Sequence, residues 1–434
     1  MDDGKLNDCL GDHVTLQRGN TYKSALLGKP GPTLLGLGSI ARNGGFKSGD
    51  LKTYGGTSDE RILLKPGDMY VSLKDVTQSA DLLGAVARVP EAIRLGRLTQ
   101  DTVKLIFRGD ASYKPYIYWL LRSPEYRSYC RAHATGTTNL GLARDDFFAF
   151  PVPRLDADRR VIVEVLEALE NKIDLNRRMN ETLEEMARAL FKDWFVDFGP
   201  TRAKMEGHPP YLAPDLWALF PDRLDEEGKP EGWENGDLGS FVTLIRAAVS
   251  PSQYPDEIFE HHSLPAYDAG QRPVIEAGSK ILSNKTIVPQ GAVLLSKLNP
   301  EIARIWLSDV GSEQKAIAST EFLVLQPSSS DLRAFTYCCV SEISFRKRME
   351  AMVSGTSKSH QRVNPSAVLG LSLVLPPAAA VTAFRQIAGP LLDQVLGNRR
   401  ETVSLSKTRD LLLPKLMSGE VRVREAEKLL DAVA

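Results

Sequence analysis

Four short strings in this chain carry side chains or bare backbone that could do chemistry. Leu35–Ser39 (LGLGS) omits the Cβ atoms that would keep a nucleotide or S-adenosylmethionine away from the main chain. A phosphate-cradling loop must open a helix, however, and Asn43-Gly44-Gly45 signals a turn instead. His208–Tyr211 (HPPY) is close to the strand end with which amino-methyltransferases hold a target amine, but His208 stands where Asn, Asp or Ser is needed, and the string lies in a connector. Glu170-Asn171-Lys172 has the E-x-K spacing of metal-dependent nucleases, yet it falls in a helical pattern where Glu and Lys are ordinary solvated flanks. His261-His262 could ligate a metal or move a proton; nothing near it in sequence completes a ligand set, so a loop or partly exposed pair is expected. Nowhere are a nucleophile, a base and an orienting group spaced to act together, so no catalytic residue, no metal site and no cofactor is predicted in this chain.

The residues suited to reading nucleic acid are more numerous. Arg and Lys can grip guanine edges or phosphates, Asn and Gln can pair with adenine, and Ser and Thr serve either purpose. In the first part of the chain the candidates are Arg18, Asn20, Tyr22, Lys23, Lys47, Lys74, Thr137, Thr138, Asn139 and Arg144. In the second they are Arg246, Ser296, Lys297, Asn299, Thr356, Ser357, Lys358, His360, Gln361 and Arg362. Net charge is -1, so the chain does not coat DNA by bulk positive charge, and any contact must be local or shared with a partner. Cys9, Cys130, Cys338 and Cys339 form no C-x-x-C pair, which argues against a disulfide framework or a zinc site. No apolar run is long enough to span a bilayer and no signal-peptide pattern opens the chain, so a cytoplasmic protein is expected.

The elements that must position these residues are written twice. LGDHVTL (Leu10–Leu16) returns as LGSFVTL (Leu238–Leu244), an offset of 228. KPGDMYVS (Lys65–Ser72) returns as PQGAVLLS (Pro289–Ser296), TGTT (Thr135–Thr138) as SGTS (Ser354–Ser357), and FPVP (Phe150–Pro153) as LVLP (Leu373–Pro376). The offset drifts between 219 and 228, which means insertions and deletions inside a shared scaffold. After each Pro marker the drift stops. Ile162, Leu166, Leu169, Ile173, Asn176, Asn180, Leu183, Ala187, Leu190 and Trp194 follow the a/d spacing of a coiled coil. Adding 222 to each gives Phe384, Ala388, Leu391, Val395, Asn398, Thr402, Leu405, Arg409, Leu412 and Leu416. A constant register is what two helices packing on each other require.

Two readings of the polar seam positions stay open. Either the helices loosen and wet in the middle, or Asn176 with Thr402 and Asn180 with Asn398 fix the register of an antiparallel pair. Pro414 predicts that the second helix kinks or ends early. The predicted organisation is a globular domain over 1–158, a helix over 159–198, a connector over 199–235, a second domain over 236–381, a second helix over 382–418 and a tail over 419–434. The fold class is α/β (α+β): two globular domains separated by two long antiparallel coiled-coil helices, with an internal pseudo-twofold repeat.

LFKDWFVDFGP (Leu190–Pro200), LWALFPDRL (Leu216–Leu224), PEGWE (Pro230–Glu234) and LLLPKLMSGEVRV (Leu411–Val423), in this repeated order, resemble the specificity subunits of type I restriction-modification systems over essentially the whole chain. The resemblance implies two target-recognition domains, each reading half of an interrupted, asymmetric site in double-stranded DNA, with the paired helices as spacer. It also implies two methyltransferase (modification) subunits docked on the helices and restriction subunits beyond them, with S-adenosylmethionine, ATP and Mg on those partners. A helix of roughly 38 residues is about 57 Å long, between one and two DNA turns. The competing reading is a self-contained DNA methyltransferase or nuclease with its own recognition domains; it would need a complete cofactor loop or acidic metal set where this chain has fragments.

Overall fold

A computed structural model describes residues 8–49, 51–77, 79–137, 139–311, 314–353 and 361–418, except for the side chains of 415–418. The chain divides into two compact units: residues 1–174 with 403 onward, and residues 175–402.

The first unit is built on a four-stranded antiparallel sheet in the order Val14–Arg18, Thr102–Phe107, Met69–Ser72, Val86–Arg88. Met69–Ser72 is buried along its length, as expected for a short apolar run at the centre of a sheet. It follows a turn in which Gly67 takes φ +80°, a conformation that suits glycine. Helices Tyr113–Leu120 and Pro124–Ala132 supply core side chains. The second begins at a Ser123 cap, whose Oγ accepts from the Tyr126 N–H (3.2 Å), with Pro124 in its first turn.

The second unit repeats this plan: Val242–Ile245, Phe322–Pro327, Val293–Ser296, Ile305–Leu307, all antiparallel, with Gly291 again at φ +80° and helices Leu332–Ser341 and Ile343–Ala351. The registers agree as well. Leu16 and Met69 both pair with Leu105; Leu244 and Val293 both pair with Leu325. In each unit a short two-stranded ladder precedes the long helix: Asp8–Cys9 with Pro151–Val152, and Glu234–Asp237 with Ser372–Leu375.

What differs is the additional sheet. In the first unit it has three strands, Thr33–Leu35, Gly96–Leu98 and Leu63–Leu64. In the second it has five, in the order Ala248–Val249, Lys285–Ile287, Lys315–Ser319, Ile258–His262, Val274–Ala277. Each contains one parallel pair.

The long helices run Ala157–Phe195 (39 residues) and Ala378–Ser418 (41 residues). The second does not end at Pro414, which corrects the expectation of an early stop. Proline removes one backbone donor from the ladder, but burial of Leu405 and Leu413 in the first unit's core holds this stretch in place. Segment 199–235 is a folded part of the second unit. It forms helices Gly199–Met205 and Pro214–Trp217 and buries Phe220 and Trp233 beside Trp194 and Phe195.

Candidate nucleic-acid interface

Three sequence candidates converge where the strands of the first sheet run out. Arg18, Lys74 and Arg144 line a cleft of about 260 Å³ together with Gln100, Asp101, Thr135 and Gly141. Arg18 Nε donates to the Gln100 carbonyl (3.1 Å). Lys74 is placed by the buried Ser72, whose Oγ donates to the Lys74 carbonyl (2.5 Å) and accepts from the Lys74 N–H (3.1 Å). Its neighbour Asp75, fully buried, accepts from the N–H groups of Thr77 and Leu82 (both 2.7 Å). Buried Arg127 donates to the carbonyls of Ala80, Asp81 and Leu83. The loop beyond Lys74 is therefore held by a buried anion on one side and a buried cation on the other, each hydrogen-bonded to its backbone. Lys74–Asp75 pairs with Leu140–Leu142, and that strand with Ala134–Thr135, so the TGTTN loop is carried by the same ladder. Thr137 and Asn139 are exposed on it, and Thr138 lies outside the described residues.

The other first-unit candidates do not join this cleft. Asn20 Oδ1 accepts from Arg97, a guanidinium only 2% exposed that also reaches Ser58 Oγ (3.0 Å) and the Thr21 carbonyl (2.9 Å) and lies over the Tyr54 ring. Tyr22 packs edge-on against Tyr54, and the Lys23 N–H donates to the Tyr54 hydroxyl (3.4 Å). The side chains of Lys23 and Lys47 face solvent.

In the second unit the corresponding strand ends gather a different set. Leu298 bridges Arg362, with the Asn299 N–H donating to the Gln361 carbonyl (2.9 Å) and the Val363 N–H to that of Lys297 (3.1 Å). Lys297, Asn299, Gln361 and Arg362 thus meet on one ladder, while Arg246 directly follows its strand at the position where Arg18 ends the first. Arg362 forks onto Glu321, with Nε at 3.0 and 3.2 Å and Nη2 at 2.9 Å. Ser296 is corrected from a contact candidate to a turn residue: it is 2% exposed, and its hydroxyl donates to the Leu298 carbonyl and accepts from the Leu298 N–H, as Ser72 does with Lys74. Thr356, Ser357, Lys358 and His360 lie outside the described residues.

Sequence reasoning passed over Asp101 and Glu321, the acids immediately before the strands Thr102–Phe107 and Phe322–Pro327. Their shared position in the repeat was the available signal, but these strands hardly match in residue type.

The enzyme-like strings do other work. Leu37–Ser39 is a single tight turn, with Ser39 Oγ 2.7 Å from the Tyr70 hydroxyl. His261 and His262 lie on a strand rather than in a loop. His261 Nδ1 meets Glu276 (2.7 Å), while His262 is 1% exposed against Trp306, and burial pushes its imidazole down to about 4. Glu170 is not a solvated flank, because it accepts from Arg409 (2.7 Å) and lies 3.6 Å from Arg122. Among the described residues no group of three His, Cys, Asp or Glu is placed to hold a metal, and no helix is long and apolar enough to cross a membrane.

The polar seam residues meet inside the second unit. Asn398 Nδ2 donates to Asn180 Oδ1 (2.8 Å), and Gln394 Nε2 donates to Asn398 Oδ1 (2.7 Å). Asn176 Nδ2 donates to Glu401 (2.7 Å) and lies 3.5 Å from Thr402 Oγ1. Asn176, Asn398 and Thr402 are all buried, and the segments run antiparallel there.

No protein-family model matches the chain. It is 23% identical over 338 residues to the type I restriction enzyme MjaIX specificity subunit of Methanocaldococcus jannaschii, covering 75% of this chain and 73% of that one. It is 25% identical over 312 residues to the HindI specificity subunit of Haemophilus influenzae, covering 60% and 66%. Its fold matches the crystal structure of a type I restriction-modification S subunit from M. genitalium with a TM-score of 0.53 at 13% identity, over 96% of this chain and 98% of that one. The duplicated sheet, the two long helices and these likenesses along most of the sequence agree: the chain is similar in sequence and in fold to the specificity subunits of type I restriction-modification systems.

Proposed function

We propose that each unit reads one half of a bipartite, gapped DNA site through the ends of its four-stranded sheet, and that the chain directs partner subunits to that site without catalysing a reaction itself. The observation that carries this reading is the repeat in three dimensions. One sheet order, one Ser-anchored turn and one strand-end arginine (Arg18, Arg246) occur in both units, while the other polar side chains on the same strand ends differ: Lys74 and Arg144 in one, Lys297, Gln361 and Arg362 in the other. A constant scaffold with exchanged tips is how one architecture serves two base sequences, since phosphate contacts set position and base-edge contacts set identity.

The chemistry belongs to partners on this reading. Two methyltransferase subunits on the helical region would bring S-adenosylmethionine, and restriction subunits ATP and Mg, in the cytoplasm. Domains 1–158 and 236–381 act as separate readers, and helices 159–198 and 382–418 as the spacer.

Exchanging the second unit's globular part for that of another such subunit, then mapping methylated sites in the cell, tests the reading. One half of the recognised sequence should move and the other stay. A change in both halves would refute independent reading. Lengthening both helices by matched residues should widen the gap and leave the half-sites unchanged.

A further inference from the structure

A carboxylate on a DNA-facing surface repels phosphate, so its presence at the same strand start in both units calls for a function. In the second unit Glu321 is taken up by the guanidinium fork of Arg362, which it braces. Asp101 stands differently. Among the described residues its cation contact is with Lys74 Nζ at 3.7 Å, beyond hydrogen-bond range, and both side chains face the cleft with 54% of Lys74 and 31% of Asp101 exposed. A carboxylate accepts up to about four hydrogen bonds, and an ammonium donates three. The cleft therefore presents an acceptor beside a donor, flanked by the cations Arg18 and Arg144. In the major groove a G·C pair presents the complement: the N7 and O6 acceptors of guanine beside the N4 amino donor of cytosine.

We propose that Asp101 and Lys74 together read one G·C pair of the first unit's half-site. Asp101 accepts from cytosine N4, Lys74 donates to guanine O6 and N7, and Arg18 and Arg144 hold the adjoining phosphates. This rests on the DNA-reading function proposed above and adds to it a base pair and the residues that select it. The bracing Ser72 and Asp75 fix the main chain of Lys74 and the loop beyond it before DNA arrives, so little backbone ordering cost falls on the contact.

The test is selection of bound duplexes from a random pool by the assembled complex, carried out with wild-type chain, Asp101→Asn, Lys74→Gln and Arg144→Gln. Wild type should select a bipartite motif. Asp101→Asn and Lys74→Gln should each relax the same G·C position in one half, by roughly 5- to 150-fold, with the other half intact as evidence of a folded chain. Arg144→Gln should weaken binding to all sequences alike and lower its salt dependence. An unchanged motif in both cleft variants, a relaxed A·T position, or uniform weakening by Asp101→Asn would overturn the proposal. A wild-type complex that selects no motif would instead overturn the DNA-reading function beneath it.

Discussion

The two units are built on sheets of the same plan, yet each takes hold of its part of the helix pair by different means. The first uses charge on aromatic faces. Glu167 accepts from both terminal nitrogens of Arg88 (2.6 and 2.5 Å) and from Trp119 Nε1 (2.6 Å), while the guanidinium lies 4.1 Å over the Tyr118 ring. Burial works against the Arg88 charge, but Glu167 outweighs it and holds the guanidinium pKa above its usual value. Arg122 over Trp119 and Arg409 on Glu170 extend the cluster. The second unit uses ring on ring: Phe191, Trp194, Phe195, Phe335 and Phe384 pack edge to face, with Phe220 and Trp233 closing over them. Charged docking is directional and fails when one partner goes; aromatic docking scales with buried area and fails by leaving a cavity.

That contrast can be broken from either side. Trp194→Ala should cost about 3–5 kcal/mol in the second unit, since the ring is fully buried and touches three others. Denaturant unfolding followed by probes in each unit should show the second melting first. Acid should act on the same unit. Burial lowers His262 from an ordinary value near 6.5 to about 4, so between those pH values the unfolded chain binds the proton that the folded one refuses. Stability is then complete above about pH 6.5 and falls by about 3 kcal/mol as pH drops to 4. Buried Glu260, whose pKa burial raises, offsets part of this loss. Melting of His262→Gln across that range should show a flatter slope, and an unchanged slope would exclude His262 as the source.

Glu167→Ala should cost the first unit about 2–3 kcal/mol, less than a fully buried pair would because both side chains keep roughly a quarter of their exposure. Glu167→Gln should recover part of this, and the second unit's melting should not move in either variant. The smallest effect expected is that of Asn398→Ala, about 1–2 kcal/mol, from leaving Asn180 Oδ1 and Gln394 Nε2 without their partner. A double-mutant cycle with Asn180→Ala should give coupling near zero if the side chains are merely wetted.

The frame was legible because its signals are periodic or duplicated. VTL strand openings, Gly turns and the a/d seam survive as patterns whatever the intervening residues. The additional sheets were not legible. Their strands are as short as Leu63–Leu64 and Ala248–Val249, too brief for alternation to register, and they lie in the stretches where the repeat drifts. Side-chain roles were harder still. Ser296 and Asn20 have the right chemistry for bases, but one holds a turn and the other satisfies a buried guanidinium, and nothing in residue type separates those uses. Asp101 failed the opposite test, since an acid is not what a search for DNA contacts looks for.

The division of the chain also sets an order of manufacture. The second unit is one continuous stretch, Leu175–Thr402, and can complete its core as soon as that stretch has left the ribosome. The first is made at the start but needs Leu405 and Arg409, which follow all of it. At about 5–20 residues per second the earliest-made domain waits roughly tens of seconds for its last helical turns. Until then Ile162, Leu166 and Leu169 lack part of their cover. Truncation before residue 403 should therefore strike the domain at the other end of the gene, and chaperone dependence should follow the first unit rather than the last.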